Sequence, residues 1–303
     1  MPGIGSVGLF VTLIDACNLD CSFCEFPGRP EFRNGNKLDS AKFLNAIKQA
    51  KIDSPIPLGA VCYCGSGEPL LYNEIGDIVF QTKKYVPQVS VVTNGLALNE
   101  DISMDLIKAG LDHIVISITG DSEQVYSLFQ GSGEKTKNVS QQFETVRKNI
   151  VRFVQIRNDM TAQTQVGISY ILSEKSRDDY FEALNHWREI GVDYVDTRIL
   201  STGFPLSVED FEDDIANNAR WWWDSCCTCF GKVMNVFTDG RISFCNCAYR
   251  EETVLGNLYE KSLGEILKTE KFQRLYRCFT EDYHNIPSYC KTCDLRRARP
   301  ILA

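Results

Sequence analysis

Apolar runs of seven to eight residues recur along the first two thirds of the chain, separated by segments with helical periodicity. The runs carry Val and Ile on both faces, which is typical of strands buried in a parallel sheet. The predicted strands are residues 8–14, 57–63, 89–95, 112–119, 165–172 and 193–200. The predicted helices are residues 39–51, 74–85, 100–109, 139–157 and 177–190. This alternation predicts an α/β fold with right-handed crossovers, and periodicity alone fits both a doubly wound sheet and a partial barrel.

The alternation ends near residue 200, where the composition changes. Residues 201–225 are acidic and then aromatic, and residues 226–303 hold eight of the thirteen cysteines. We therefore predict a first domain over 1–204, a linker over 205–225 and a cysteine-rich domain over 226–303. The tryptophan run at 221–223 is predicted to pack between the domains. The acidic residues of 209–214 fit a solvated face, or a surface for a cationic substrate.

Charge and composition disfavour nucleic-acid-binding, secreted and membrane-spanning classes of protein. The chain has 32 basic and 40 acidic residues, a net charge of −8, which disfavours nucleic-acid binding. The apolar residues 3–14 lack a basic flank and are too few to span a bilayer, so they predict neither a signal peptide nor a membrane segment. Clustered cysteines without a secretion signal indicate a reducing, cytoplasmic location, where they act as metal or redox ligands.

Three cysteines follow the first predicted strand with the spacing C-x3-C-x2-C: Cys17, Cys21 and Cys24. Active sites of parallel α/β folds form at the carboxyl ends of strands. Three thiolates can bind three irons of a [4Fe–4S] cluster and leave the fourth iron open to a small molecule. A structural zinc site would need a fourth ligand, which is not visible nearby. A thioredoxin-like redox pair would leave Cys17 unexplained.

This spacing, with an aromatic residue at Phe23, resembles the cluster motif of the radical S-adenosylmethionine (SAM) superfamily. The stretch GSGEPL, just after the second strand, looks like the Gly-Gly-Glu-Pro motif of that superfamily, with Ser66 in place of the second glycine. The resemblance implies a partial (β/α)6 TIM-like barrel with a small C-terminal Cys-rich domain, and a SAM-binding [4Fe–4S] cluster on the three cysteines. The residues it assigns to cofactor binding are Phe23, Gly65, Ser66, Gly67, Glu68, Pro69, Thr93, Asn94, Ser117 and Arg198. Thr93, Asn94, Ser117 and Arg198 lie at or near the ends of predicted strands, where polar residues are also common as turn formers.

The C-terminal cysteines resemble a SPASM domain or its shorter Twitch form. Gly240-x4-Cys245 and Cys290-x2-Cys293 match that pattern. The full SPASM pattern continues with further cysteines, whereas this sequence has none after Cys293, so the resemblance implies one auxiliary [4Fe–4S] cluster, as in Twitch. The resemblance takes the fourth ligand from Cys226, Cys227 or Cys229, and Cys227 is preferred because Cys245 lies 18 positions further on, which matches the family's usual register for the intervening strand and turn. A zinc knuckle is the alternative, because thiolate sets also bind zinc.

The resemblance further implies a reaction. A low-potential donor such as flavodoxin or ferredoxin supplies an electron, SAM is cleaved to a 5′-deoxyadenosyl radical, and the radical abstracts a hydrogen atom from a substrate carbon. The net result is oxidation, or epimerisation if a cysteine returns a hydrogen atom. Candidate donors are Cys247, Cys226 and Cys229.

The substrate stays open between two classes. A natural-product sugar or aminocyclitol is favoured by the acidic charge and by the start of the chain at the first strand, without a leader-binding domain before it. A ribosomally made peptide is the alternative. A non-catalytic iron–sulfur carrier or zinc-binding module is a third reading, which the GSGEP motif disfavours.

Overall fold

The structure is a computed structural model, and it describes residues 5–22, 24, 33–130, 138–172, 176, 178–199, 233–244, 251–281 and 285–291. The first six strands are β1 (Val7–Val11), β2 (Leu58–Tyr63), β3 (Gln88–Thr93), β4 (His113–Ile118), β5 (Gln165–Leu172) and β6 (Tyr194–Ile199). The helices among them are α1 (Ser40–Asp53), α2 (Ile75–Lys83), α3 (Glu100–Lys108), α4 (Glu123–Phe129), α5 (Val139–Asp159) and α6 (Tyr180–Ile190). The later elements are β7 (Val233–Val236), β8 (Arg241–Ser243), β9 (Val254–Asn257), α7 (Leu263–Lys268), α8 (Glu270–Thr280) and α9 (Ser288–Lys291).

The six strands pair in sequential order, each parallel to the next, from β1 through β6. A doubly wound sheet reverses its strand order at a switch point, whereas a sheet wound in one direction keeps sequential order. The expected α/β fold with a partial parallel barrel is therefore confirmed. All six carboxyl strand ends lie on the same rim, which is where the candidate site forms.

The C-terminal part continues the same sheet. Strand β7 pairs parallel with β1, and β8 and β9 add antiparallel strands beyond it. Thr12 N donates to Val236 O at 2.9 Å just past the end of β1. The segment that follows the first strand, and carries the three cysteines, is therefore flanked by β2 on one side and by the β7–β8 hairpin on the other.

Side-chain alternation explains how the barrel is packed. In β4, Ile114, Ile116 and Ile118 are fully buried, and the residues between them are half-buried. Helix α1 supplies a matching apolar stripe at helical spacing: Phe43, Ala46, Ile47 and Ala50 are its buried residues. Its N-cap, Asp39, accepts a hydrogen bond from Lys42 N at 3.0 Å. No helix in the described ranges is long and apolar enough to cross a membrane.

The predicted strands and helices up to residue 199 are confirmed in position, with two differences. Strand β1 ends at Val11 rather than at residue 14, because the chain there leaves the sheet; Ile14 instead forms an isolated bridge with Lys37. Helix α4, at Glu123–Phe129, was not predicted. It is seven residues long, too short for periodicity to reveal, although Ser122 caps it by accepting a hydrogen bond from Val125 N.

A titratable cluster lies just beyond β4. The Asp121 side chain is 12% exposed, and its Oδ2 lies 3.8 Å from His186 Nδ1. Its Oδ1 is buried and has no hydrogen-bond partner in the described part of the chain. Burial raises the pKa of Asp121 to about 7, against the attraction of Arg147, and burial also lowers the pKa of His186. Asp121 therefore keeps its proton well above the pH at which an exposed aspartate loses it.

The variant Asp121→Asn should remove a pH-dependent loss of stability. Because the folded-state pKa of Asp121 is raised, folding binds a proton between about pH 4 and pH 7, and stability falls as the pH rises through that window. Asparagine mimics the protonated acid. We expect its free energy of unfolding to exceed that of wild type by about 1–3 kcal/mol at high pH, and the gain to shrink towards zero at low pH.

Urea unfolding at pH 8.5 and pH 5 measures this difference. The exposed Asp159 provides the control. Asp159→Asn should change stability equally at the two pH values. An Asp121→Asn variant whose effect does not depend on pH would contradict the assignment.

Candidate active site at the carboxyl ends of the strands

The three cysteines of the predicted cluster motif lie in the segment that follows β1. Cys17, Cys21 and Cys24 form no disulfide and are half-buried. Leu19 N donates to Cys17 Sγ at 3.5 Å. Burial, followed by the proximity of Cys17 and Cys24, raises the pKa of the Cys21 thiol. A thiol with a raised pKa ionises when a bound metal displaces its proton.

Glu68 organises the rim beside the cysteines. It is 3% exposed, and its Oε1 accepts hydrogen bonds from Thr93 Oγ1 at 2.6 Å and Leu70 N at 3.0 Å. Its Oε2 accepts from Asn94 N at 2.8 Å. Burial raises the pKa of Glu68, and these three donors oppose the rise. The carboxylate therefore ties the end of β2 to the end of β3, and Oε2 retains a lone pair for a further donor.

Asn94 connects this network to the cysteines. Its Nδ2 donates to Asn18 Oδ1 at 2.7 Å and lies 3.8 Å from Cys17 Sγ. Asn94 is almost fully buried, so its amide has a fixed orientation. Cys17, Glu68, Thr93 and Asn94, all predicted as site residues, are therefore in one contiguous cluster.

Two glycines let the GSGEP turn pass close to the cysteine segment. A Cβ on Gly67 would lie 2.7 Å from Ala16 O and closer still to Ile14 O, and a Cβ on Gly65 would collide with Thr12 Oγ1. Gly65 has a φ of 128°, which side-chain-bearing residues rarely adopt. Glu68 N donates to Ala16 O at 2.8 Å, so the two segments are joined by their backbones.

The variant Gly67→Ala should separate these segments. The atoms in the way are backbone carbonyls, which can move only by disturbing the bond between Glu68 N and Ala16 O. We expect a loss of about 3 kcal/mol in the free energy of unfolding, measured in urea, together with a lower iron content. Gly5→Ala is the control, because nothing lies within 4 Å of a Cβ there. Equal unfolding midpoints for Gly67→Ala and Gly5→Ala would contradict this account.

Ser66 replaces a glycine of the motif and has a role of its own. Its Oγ donates to Asp15 Oδ1 at 2.9 Å, and Asp15 Oδ2 accepts from Thr238 Oγ1 at 2.6 Å. Burial raises the pKa of Asp15, while these two hydroxyl donors lower it. This bridge links the GSGEP turn to the β7–β8 hairpin, so the Ser66 hydroxyl is already engaged within the protein.

The more distant predicted residues lie further round the rim. Ser117 is half-buried in β4, on the opposite face from Ile116 and Ile118, and pairs in register with Ser169. Ser169 pairs in turn with Asp196 of β6. Arg198 belongs to β6, where its backbone pairs with Ile171.

Sequence reasoning missed Arg33, Asn18, Asp15 and Thr238. Arg33 Nη2 lies 3.8 Å from Cys24 Sγ, and Arg33 Nε and Nη1 are buried without a hydrogen-bond partner in the described residues. No motif marks Arg33. Asp15 had a weak signal, because it is a charged residue at the end of an apolar run.

Several predicted site residues lie outside the described residues. They are Phe23, Cys226, Cys227, Cys229, Cys245, Cys247 and Cys293. Cys290, in α9, is half-buried and packs against the hydrophobic core. Pro69 begins a 3-10 turn over Pro69–Leu71, for which Glu68 is the N-cap.

The residues present fit an iron–sulfur cluster with a ligand beside it. In the described ranges, no three His, Cys, Asp or Glu side chains converge closely enough to hold a single metal ion. A [4Fe–4S] cluster places each thiolate on a different iron, so its ligands surround the cluster instead of meeting at one point. The buried donors of Arg33, without acceptors of their own, suit the acceptor sulfurs of such a group.

Comparison with known proteins agrees with this site. The sequence model described as the Radical SAM superfamily matches residues 11–158, which include the cysteine segment, the GSGEP turn and the end of β3. A second model, SPASM, described as an iron–sulfur cluster-binding domain, matches residues 226–294. The chain therefore carries a radical SAM domain over residues 11–158 and a SPASM domain over residues 226–294. The two matches indicate SAM and an auxiliary iron–sulfur cluster as cofactors.

Individual relatives extend the comparison. A GTP 3′,8-cyclase of Clostridium acetobutylicum is 30% identical over 132 residues, 43% of this chain and 40% of that protein's length. The structure of anSMEcpe with bound AdoMet has a TM-score of 0.68 at 15% identity, covering 96% of this chain and 87% of that one; the same protein has been solved with a Cp18Cys peptide. BtrN in complex with AdoMet and 2-DOIA has a TM-score of 0.51 at 16% identity, covering 96% and 91%. The radical SAM chain thus shares its fold with these structures.

Proposed function

We propose that this radical SAM enzyme cleaves SAM reductively and abstracts a hydrogen atom from a substrate carbon. One observation carries the proposal. The thiol segment of Cys17, Cys21 and Cys24 adjoins the network of Glu68 and Asn94, with Asn94 Nδ2 3.8 Å from Cys17 Sγ. In this proposal the three cysteines bind the SAM cluster, and the bound cofactors supply the 5′-deoxyadenosyl radical.

The residues of the rim would bind and orient SAM. The Glu68 side chain accepts hydrogen bonds from Leu70 N, just after the GSGEP turn, and from Asn94 N, at the end of β3. These bonds would hold the backbone polar groups of both segments in fixed positions beside the cluster. The Oε2 lone pair of Glu68 suits the amino group of the cofactor. Leu13 and Leu19, each 1% exposed, shield the base of the cysteine segment from water.

The C-terminal cysteines would bind the auxiliary cluster and include the candidate hydrogen-atom donors. We assign the auxiliary cluster to Cys227, Cys245, Cys290 and Cys293, and keep Cys226, Cys229 and Cys247 as candidate hydrogen-atom donors. The match of the SPASM model to residues 226–294 supports a cluster in this segment. A flavodoxin or ferredoxin would supply the electron.

A natural-product sugar or aminocyclitol is the first candidate substrate. The complex of BtrN with 2-DOIA supports a small substrate, since the match covers 91% of that chain. The net charge of −8 favours a cationic group on the substrate.

A peptide is the second candidate, and a different observation favours it. The anSMEcpe structures, one of them with a bound peptide, have TM-scores of 0.68 and 0.67 with this chain, against 0.51 for BtrN.

Substrate-dependent formation of 5′-deoxyadenosine tests both candidates. The enzyme is reconstituted anaerobically and mixed with SAM, dithionite and either aminocyclitols or peptides, in deuterated water. The correct substrate class should raise the amount of 5′-deoxyadenosine formed above the amount formed without substrate. A product lighter by two hydrogens indicates oxidation, and deuterium at the reacting carbon indicates epimerisation through an exchangeable thiol. No stimulation by aminocyclitols, together with stimulation by peptides, would overturn the first candidate.

A further inference from the structure

Arg33 is half-buried beside the cysteine segment, and two of its guanidinium nitrogens are buried without acceptors among the described residues. Its Nη2 lies 3.8 Å from Cys24 Sγ, and its Nε and Nη1 have no hydrogen-bond partner among the described residues. Buried guanidinium groups are almost always paired, since an unpaired buried charge is costly. The position therefore implies an anionic group that the polypeptide described here does not provide.

Two buried carboxylates of the described site are engaged elsewhere. Glu68 accepts from Thr93, Asn94 and Leu70, and Asp15 accepts from Ser66 and Thr238. Neither has a contact with Arg33 in the described structure.

The positive charge of Arg33 instead reaches the thiols. Its Nη2 lies 3.8 Å from Cys24 Sγ, within hydrogen-bond distance of a sulfur acceptor. A [4Fe–4S]²⁺ core with three thiolates carries a charge of −1, and one electron makes it −2. A fixed positive charge stabilises the second state more than the first.

We propose that Arg33 donates hydrogen bonds to sulfur atoms of the SAM-binding cluster and raises its reduction potential. The step concerned is the uptake of one electron from an external reductant, in which the [4Fe–4S]²⁺ core becomes [4Fe–4S]⁺ and the donor is oxidised by one electron. Net charge and hydrogen bonds to sulfur are established determinants of cluster potential. Arg33 is a positioning and tuning residue in this proposal, and the inference does not depend on the identity of the substrate.

An anaerobic redox titration followed by EPR tests the proposal on the reconstituted holoenzyme. The signal that changes on addition of SAM identifies the SAM-binding cluster and separates it from the auxiliary cluster. The variants are Arg33→Gln and Arg33→Met, which remove the charge, and Arg33→Lys, which keeps it. Arg152→Gln is the matched control, because Arg152 pairs with Glu100 on an exposed helical surface.

The proposal predicts a more negative midpoint potential for the SAM-sensitive signal in Arg33→Gln and Arg33→Met. Arg33→Lys should stay close to wild type, and Arg152→Gln should not differ from it. If both neutral variants fail to load the cluster while Arg33→Lys loads four irons there, the charge is needed to hold the anionic cluster, which also supports the proposal. An unchanged midpoint in a loaded neutral variant would overturn it. Loss of the cluster in all three variants would also overturn it, because Arg33 would then have a packing role.

Discussion

Replacing Cys21 with alanine should abolish SAM cleavage. Cys21 is the middle thiol of the triad, and the charges of Cys17 and Cys24 act on it, so it belongs to one set with them. Three thiolates bind three irons of the cluster, and removing one thiolate leaves one of those irons without its protein ligand. We expect Cys21→Ala to lose about four irons per chain and to form no 5′-deoxyadenosine above background with SAM and dithionite.

Cys278→Ala is the matched control for this experiment. Cys278 lies in α8, half-buried, and no cluster motif includes it. This variant should keep its full iron content and its rate of SAM cleavage. Retention of both properties by Cys21→Ala would remove the basis for the proposed cluster ligands.

Replacing Glu68 with glutamine should weaken both the fold and SAM binding. Both carboxylate oxygens accept hydrogen bonds, from Thr93 and Leu70 on one side and from Asn94 on the other. Whichever way the new amide turns, its NH₂ group meets a donor. A buried donor left without an acceptor costs about 1–3 kcal/mol, and we expect that loss in urea unfolding. SAM affinity should fall about tenfold, because each 1.4 kcal/mol changes a dissociation constant by that factor.

Glu100→Gln is the control for Glu68→Gln. Glu100 pairs with Arg152 on an exposed surface, and such pairs contribute little to stability. Its unfolding midpoint and SAM affinity should match those of wild type. If Glu68→Gln also matched wild type in both measurements, Glu68 would not be the residue that joins β2 to β3.

The sequence predicts the elements of the barrel well because strands such as β1, β3 and β4 carry a fully buried apolar face and the long helices carry an apolar stripe. It also predicts Cys17, Glu68, Thr93 and Asn94 as one site, because the carboxyl ends of parallel strands meet at one rim. Periodicity did not distinguish a doubly wound sheet from a barrel, since the two differ in strand order and not in strand content.

Other features depend on contacts between distant parts of the chain. The pairing of β7 with β1 has no local signature, because β7 is only four residues long. The hydrogen bond between Asp15 and Thr238 joins residues 223 positions apart. Ser66 also donates to Asp15, which is possible only because a serine replaces the second glycine of the Gly-Gly-Glu-Pro motif. Arg33 lies in no motif, and only its burial beside Cys24 reveals a role.

The central claim is that this chain uses its three N-terminal cysteines to cleave SAM. The most direct measurement is the formation of 5′-deoxyadenosine by the reconstituted wild-type protein under anaerobic conditions, with SAM and dithionite. We predict that 5′-deoxyadenosine accumulates in wild type and is absent when SAM or the reductant is left out. A protein that carries its full complement of iron and reduces its clusters, yet forms no 5′-deoxyadenosine, would contradict the account.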